Sequence, residues 1–193
     1  MGTDADVVPE GELRAGKLLV ATPALADPNF ADTVVLLLDV EDGALGVILN
    51  RPSPVTVAEV LGPWSARVAE PEVLFRGGPV GTDAALAVAL LRDPADVPVG
   101  FRVVDGRLGL IDLDTPTELL DGSLEGLRIF AGYAGWAAGQ LEAEIEEGSW
   151  YVVLGETVDV FGDDAARLWR RVMRRQPGRL AWHSTRPADP DLN

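Results

Sequence analysis

One stretch of the chain, from Leu127 to Trp150, constrains the fold more than any other. It begins with an apolar run between Gly126 and Gly132, which is typical of a buried strand. A glycine-rich turn carrying Tyr133 and Trp136 follows. A helix is predicted next from apolar residues at spacings of three and four: Ala137, Ala138, Leu141 and Ile145. Because a strand, a glycine turn and a helix N-terminus direct backbone N–H groups to one place, this segment predicts an anion-binding site.

The composition indicates one globular domain. With 193 residues, 47% of them hydrophobic, the chain can bury a sizeable core. It contains no apolar run of about eighteen residues and no signal-peptide pattern, so we expect a cytoplasmic protein without a membrane span. The net charge of −15 disfavours general binding to nucleic acid or to anionic membranes. Cysteine is absent, which excludes disulfides and cysteine nucleophiles.

The remaining apolar runs predict a mixed sheet. Thr33–Val40 is apolar almost throughout, which is typical of a strand buried on both faces. Asp42-Gly43 and Asp105-Gly106 are hairpin signals. Strands outnumber helices and come partly as hairpins, so a regular alternation of strand and helix is not expected. The other predicted strands are Lys17–Ala21, Ala44–Leu49, Val73–Phe75, Phe101–Val104, Leu108–Leu113 and Trp150–Leu154. Ala84–Leu91 is ambiguous, because its alanines and leucines favour a helix whereas its position between turns favours a strand, which we prefer.

Three further helices are predicted, together with two tails. Thr56–Val68 begins with a cap and is broken by Gly62-Pro63. A short helix to Leu120 has Pro116 at its first position. Asp163 and Asp164 cap the last helix, which runs to about Arg175. The acidic residues 1–13 and the proline-rich residues 177–193 are expected to be loose tails around a domain of residues 14–176.

Several motifs together resemble the YqgE/AlgH family of bacterial proteins. The matching segments are GKLLVATPAL, GVILNRP, FRGGPV and GYAGWAAGQLEAEI, followed by Trp150, in the same order from about Leu13 to Arg175. Many members carry a histidine near the end of the strand after GGPV, where this chain has Ala87–Leu91. The resemblance implies an α/β fold whose mixed sheets bend into a partial barrel flanked by helices. It implies no established activity, although members are often labelled transcriptional regulators.

Two turns at predicted strand ends are candidate ligand sites. Asn50-Arg51-Pro52 and Arg76-Gly77-Gly78-Pro79 each follow an apolar strand, and an arginine beside a glycine-rich loop can clamp a carboxylate or phosphate. The alternative is that both are ordinary tight turns. Together with the central turn, they give a predicted pocket for an anionic small molecule. Its candidate residues are Asn50, Arg51, Arg76, Gly77, Gly78, Tyr133, Gly135, Trp136 and Gln140.

Catalytic patterns are sparse. Glu144 is the one candidate general base, since burial beside Trp136 would raise its pKa. His183, the only histidine, falls in the predicted C-terminal tail, and the carboxylate clusters are better explained as a solvated acidic face than as a metal site. No metal and no cofactor are therefore predicted. We expect Trp136 to be mostly buried with its indole N–H bonded to the backbone, and Tyr133 to lie nearer the cavity.

The last predicted helix is amphipathic, with its arginines on one arc. This basic arc, which could meet DNA, an acidic partner or the protein's own acidic surface, is more simply explained as the outer face of a helix docked on the core. Its members are Arg167, Arg170, Arg171, Arg174 and Arg175, opposite Ala165, Leu168, Trp169, Val172 and Met173.

Three functional hypotheses follow from these patterns. The first is a non-enzymatic protein that binds a small anion or a protein partner and acts as a regulator. The second is a DNA-binding transcriptional regulator, which the net charge disfavours. The third is a hydrolase or transferase that uses Glu144 as its base. The sequence leaves the oligomeric state open.

Overall fold

A computed structural model describes residues 12–177 and Ala181 of the chain. Ten strands and four α-helices form one domain in which the sheet curls into a half-barrel. The strands are β1 (Leu18–Ala21), β2 (Val34–Asp39), β3 (Ala44–Ile48), β4 (Pro52–Thr56), β5 (Val73–Arg76), β6 (Val80–Leu91), β7 (Phe101–Asp105), β8 (Leu108–Ile111), β9 (Leu124–Trp136) and β10 (Trp150–Val153). The helices are α1 (Val57–Val60), α2 (Gln140–Glu146), α3 (Thr157–Phe161) and α4 (Leu168–Arg174).

Strand β9 is the junction of the sheet. The strands lie in the order β10-β1-β2-β3-β9-β6-β8-β7, and β5 joins β9 from the side with β4 as its other neighbour. All pairs are antiparallel except β5 with β9, where Phe75 lies opposite Phe130. The sheet is therefore mixed, as the sequence predicts. The segment Leu127–Trp150, which is predicted to constrain the fold most, supplies most of this central strand.

Apolar side chains on both faces of the sheet form the core. Along β2, Val34 and Leu36 point into an inner core with Phe75 and Phe130, whereas Val35 packs on the opposite face with Trp136. The prediction that this strand is buried on both faces is confirmed. Helix α4 closes the inner core with its apolar face, as predicted, through Leu168, Trp169, Val172 and Met173, and Ala165 just before it is also buried.

The central turn begins later than predicted. Strand β9 continues through Gly132 and Tyr133 to Trp136, where Ala44 of β3 is its partner. Gly132 has a φ of +72°, and this departure from extended backbone reverses the side-chain alternation, so Phe130 and Tyr133 share the inner core although three positions apart. The glycine pattern predicts a turn here because glycine is usually depleted in strands.

Helix α2 is shorter than predicted, because it begins only at Gln140. Ala137 and Ala138 lie exposed before the helix, and Gly139 occupies its N-cap position with a φ of +77°. The backbone N–H of Ala137 donates to Oε1 of Gln140 at 3.0 Å. One backbone donor of the turn is therefore bonded to the helix itself, and the residues before Ala137 are paired in β9.

Other local differences have simple causes. Pro52 lies in an unpredicted strand, β4, which tolerates proline because β5 is its single partner. The predicted Thr56–Val68 helix is α1 followed by a 3-10 helix, Gly62–Arg67, with the break at Gly62-Pro63 as expected. Pro116 precedes a 3-10 helix, Thr117–Leu120, and takes its N-cap position. Asp164 precedes another, Ala165–Arg167, without a side-chain cap, so α4 begins only at Leu168.

Arg128 is a buried cation that the sequence did not reveal. It lies on β9 among apolar neighbours, with its guanidinium 4.3 Å from the centre of the Phe75 ring. Burial lowers the pKa of Arg128 to about 10, and the more distant Asp163 opposes this shift. Its terminal nitrogens donate to the carbonyls of Glu70, Val160 and Gly162 at 2.6–3.0 Å. Arg128 therefore ties the loop at Glu70 and the C-terminal end of α3 to the central strand, and it is a structural residue.

Two predictions concern the chain ends and a possible membrane span. The predicted tails, residues 1–13 and 177–193, and His183 lie almost wholly outside the described residues. Within residues 12–177, no helix is long and apolar enough to cross a membrane.

Candidate functional site

Arg51 and Arg76 line one groove at the end of β3 and β5. The groove has a volume of about 220 Å³. The two arginines come together because the Arg76 backbone N–H donates to the Arg51 carbonyl at 2.7 Å, beside the pairing of β4 with β5. Strand pairing thus places two guanidinium groups on one cavity from positions 25 residues apart in the sequence. The other lining residues are Pro28, Asn29, Ile48, Gly78 and Pro79.

The two guanidinium groups differ in how they are held. Arg51 is half-buried, and one terminal nitrogen donates to the Ala31 carbonyl at 2.8 Å. Arg76 is exposed and makes no side-chain hydrogen bond or ion pair within the described residues. Arg51 is therefore a fixed donor with nitrogens to spare, and Arg76 is an uncommitted cation beside it. This pair can hold the two oxygens of a carboxylate or phosphate.

Asn50 supports the groove from behind. Its Oδ1 accepts from the Val34 backbone N–H at 3.0 Å, and its Nδ2 donates to the Asp32 carbonyl at 2.9 Å. These bonds fix the loop before β2, in which Asp32 has a φ of +57°. The loop then contributes Pro28 to the groove wall. Asn50 is therefore a positioning residue, whereas the sequence had suggested that it lines the pocket.

Gly77 and Gly78 allow the loop after β5 to lie directly against β9. A Cβ at Gly77 would overlap the carbonyl oxygen of Gly132, and one at Gly78 would overlap the backbone of Tyr133. The Gly77 backbone also bridges two strands, since its N–H donates to Ala131 and its carbonyl accepts from Ile48. Of the two glycines, Gly78 lines the groove. The close approach of β9 explains why both positions are glycine.

Trp136 and Gln140 both contact Glu144, outside the groove. Oε2 of Glu144 accepts the indole N–H groups of Trp136 and Trp150, both at 2.9 Å, and Oε1 accepts from Gln140 Nε2 at 2.9 Å. Trp136 is 6% exposed, so its predicted burial is confirmed, but the predicted backbone partner of its indole is wrong. Because three N–H donors occupy the Glu144 carboxylate, the structure assigns it a packing role.

Phe30 connects Trp136 and Trp150 to the groove. Its ring lies edge-on to Trp150, with centroids 5.6 Å apart, and is tilted against Trp136 at 6.0 Å. We call Phe30, Trp136 and Trp150 the tryptophan cluster. Phe30 follows directly on the groove residues Pro28 and Asn29, so the cluster anchors one wall of the groove. In the sequence, Asp27-Pro28-Asn29 is only a turn pattern, and such a pattern does not show that Phe30 packs against Trp136 and Trp150.

Tyr133 and Gly135 lie away from the groove lining. Tyr133 is half-buried against the inner core, and Gly135 is exposed on β9 opposite Leu45. Among the described residues, the groove lining does not include either of them. The predicted site therefore divides into a groove containing Arg51, Arg76 and Gly78, and supporting residues behind it. Within residues 12–177 no group of three or more histidine, cysteine, aspartate or glutamate side chains is placed to hold a metal ion.

The comparison with known proteins agrees with this architecture. Residues 18–181 match the family model described as AlgH-like. The chain belongs to the AlgH-like family. A UPF0301 protein of Streptomyces avermitilis is 57% identical to this AlgH-like chain over 182 residues, covering 92% of the chain and 94% of the relative.

Two solved structures share the AlgH-like fold of this chain. Protein DIP2367 of Corynebacterium diphtheriae, a crystal structure, is 34% identical with a TM-score of 0.86, and the match covers 92% of this chain and 94% of that protein. The AlgH protein of Pseudomonas aeruginosa, a solution structure, is 29% identical with a TM-score of 0.67, covering 90% and 94%. These similarities establish the family and the curled sheet, and they carry no activity with them.

Proposed function

We propose that this protein is a non-enzymatic binding protein for a small carboxylate- or phosphate-bearing molecule, held between Arg51 and Arg76. The observation that carries the proposal is the pair of arginines on one cavity, one anchored and one uncommitted. A surface arginine alone has a simple explanation as a solvated side chain. Two arginines brought together by strand pairing, with a loop fixed opposite them, form a more specific arrangement.

The size and charge of the groove limit the ligand. Pockets for drug-sized molecules occupy roughly 300–1,000 Å³, so a groove of about 220 Å³ suits a smaller compound. The net charge of −15 opposes the approach of anions over long distances. At physiological ionic strength, however, charges farther than about 8 Å are largely screened, so the two local guanidinium groups dominate at the groove. A small acid or phosphomonoester is the class that fits.

A regulatory role follows from the way the groove is built. One wall is the loop of Pro28 and Asn29, which Asn50 and Phe30 hold in place. A ligand that bridges Arg51 and Arg76 would stabilise this loop against β3 and β5. Such a ligand would change the surface that the loop presents to a partner protein. In this way a non-catalytic binding protein can make its interaction with a partner depend on the concentration of a metabolite.

A thermal-shift screen tests this proposal. We expect at least one small carboxylate or phosphomonoester, from a panel that includes malonate and inorganic phosphate, to raise the melting temperature. A ligand at 100 times its Kd contributes about 2.7 kcal/mol, which corresponds to roughly 5–10 °C for a chain of this size. Arg76→Gln should weaken the affinity by about ten-fold or more, since a charged hydrogen bond contributes about 1.5–3 kcal/mol.

The matched control is Arg102→Gln. Arg102 is an exposed arginine on β7 whose nearest acid, Asp39, lies 3.9 Å away, and it is outside the groove. Its replacement changes the net charge by the same amount and should leave the thermal shift intact. The proposal is wrong if no compound in the panel stabilises the protein, or if the stabilisation is the same in Arg76→Gln as in the unaltered chain.

A further inference from the structure

The basic arc of α4 and the turn before it lines a second cavity, far larger than the groove. This cavity has a volume of about 520 Å³ and is lined by the five arginines of the arc together with Glu156 and Asp164. Among these described residues, cations outnumber carboxylates by five to two. Docking of α4 uses the opposite, apolar face, so it leaves this concentration of positive charge at the surface of a protein of net charge −15.

Part of this basic surface is neutralised within the protein. The side chain of Asp159 is fully buried and takes a bidentate contact from Arg175, and this hydrogen bond is the main reason why the pKa of Arg175 is raised. Arg175 also lies 3.4 Å from Glu156 and donates to the Leu154 carbonyl. Arg175 is therefore structural and forms the floor of the cavity.

Three other arginines keep unused donors. Arg174 is exposed and makes no side-chain hydrogen bond or ion pair among the described residues. The Arg167 side chain is 83% exposed, and its one carboxylate neighbour, Asp164, lies 3.9 Å away. Arg171 is held more closely, since one terminal nitrogen donates to the Val158 carbonyl at 3.2 Å and its Nε lies 3.7 Å from the buried Asp159 carboxylate, which leaves its other terminal nitrogen for a ligand.

These three arginines form a row. Arg171 and Arg174 are three residues apart on α4, the spacing that places side chains on one face of a helix, and Arg167 at the N-cap position of α4 lines the same cavity. The row extends over about 10 Å at the usual rise per residue. A single phosphate can reach one or two of these side chains, whereas an anion with several charged groups in line can reach all three. Guanidinium groups also pair with phosphoryl oxygens in a bidentate manner.

We propose that this arginine row is a second binding site, distinct from the groove, for a linear anion with two or more phosphoryl groups. The site lies on α4 and the turn before it, while the groove lies at the ends of β3 and β5. The ligand is defined by its chemistry alone: it carries consecutive phosphoryl groups, as inorganic pyrophosphate and tripolyphosphate do. DNA also carries phosphates in line, but its extended charge would meet the acidic remainder of the surface as well.

Calorimetric titration of the full chain tests the row. We expect tripolyphosphate to bind at least ten-fold more tightly than orthophosphate at the same ionic strength. Arg174→Gln and Arg167→Gln should each lower the tripolyphosphate affinity by about ten-fold, and both variants should fold because the two side chains are exposed. Arg102→Gln serves as the control for net charge, and Arg76→Gln as the control for the groove; both should bind tripolyphosphate as the unaltered chain does.

Each contrary outcome has a distinct meaning. Equal affinities for orthophosphate and tripolyphosphate, or an affinity unchanged by Arg174→Gln, would overturn the row as a site for linear phosphates. Loss of binding in Arg76→Gln would place the anion in the groove and overturn the second site while leaving the first. Tighter binding of a short DNA duplex than of tripolyphosphate, lost in Arg174→Gln, would replace the proposal with a nucleic-acid surface.

Discussion

Trp136→Ala is expected to lower the free energy of unfolding by about 3–5 kcal/mol, the range for large aromatic deletions in a core. Trp136 is 6% exposed, lies 5.9 Å from Trp150 between ring centroids, and packs against Phe30. Its removal would leave a cavity under the loop before β2 and remove one of the three N–H donors to Glu144. Urea denaturation with a probe of secondary structure measures the loss.

The matched control for this variant is Tyr133→Phe. Tyr133 lies on the same strand, is half-buried, and its hydroxyl makes no hydrogen bond within the described residues. The change should stay within about 0.5 kcal/mol. If Trp136→Ala costs less than about 1 kcal/mol, the ring does not support the fold, and the assignment of the tryptophan cluster as a packing device is wrong.

Glu144→Ala is expected to destabilise the protein by about 2–4 kcal/mol, because it leaves two buried indole donors without an acceptor. Trp150 is 3% exposed and Trp136 is 6% exposed, so water cannot readily replace the carboxylate. Glu144→Gln retains an acceptor oxygen and should cost less. Glu142→Ala, on an exposed position of the same helix, is the control and should change stability by no more than about 0.5 kcal/mol.

A double-mutant cycle separates this role from catalysis. If Glu144 acts through the indoles, Glu144→Ala and Trp136→Ala should not be additive, with a coupling of about 0.5–3 kcal/mol. Additive losses, or a Glu144→Ala variant as stable as the unaltered chain, would contradict the packing role. Such a result would return Glu144 to consideration as the general base that the sequence had suggested.

The sequence predicted the strands well because their signals are local. Uninterrupted apolar residues gave β2 its burial on both faces, and Asp105-Gly106 marked the hairpin of β7 and β8. The central strand was truncated because Gly132 and Gly135 look like turn residues, whereas in the fold Gly132 supplies a bend in a strand that pairs with three others. Local patterns cannot show how many neighbours a strand has.

The candidate site was predicted only in part, because one of its walls depends on tertiary contacts that local patterns do not show. Arg51 and Arg76 were identified from their position after apolar strands, and the structure brings them to one groove. Pro28 and Asn29 were missed because the groove wall depends on tertiary contacts of Phe30 and Asn50. Trp136 and Gln140 were included because they are neighbours in sequence of the central turn, although their side chains meet Glu144 instead.

The claim that Arg51 and Arg76 form an anion site is tested most directly by nuclear magnetic resonance of the guanidinium groups. Nε–Hε signals of ¹⁵N-labelled protein, assigned with Arg51→Gln and Arg76→Gln, would be followed during titration with malonate, with Arg102 and Arg174 as internal references. We predict saturable shifts of the Arg51 and Arg76 signals with a common Kd, while the two references stay unchanged. Shifts of equal size at all four arginines, or none at Arg51 and Arg76, would contradict the proposed function.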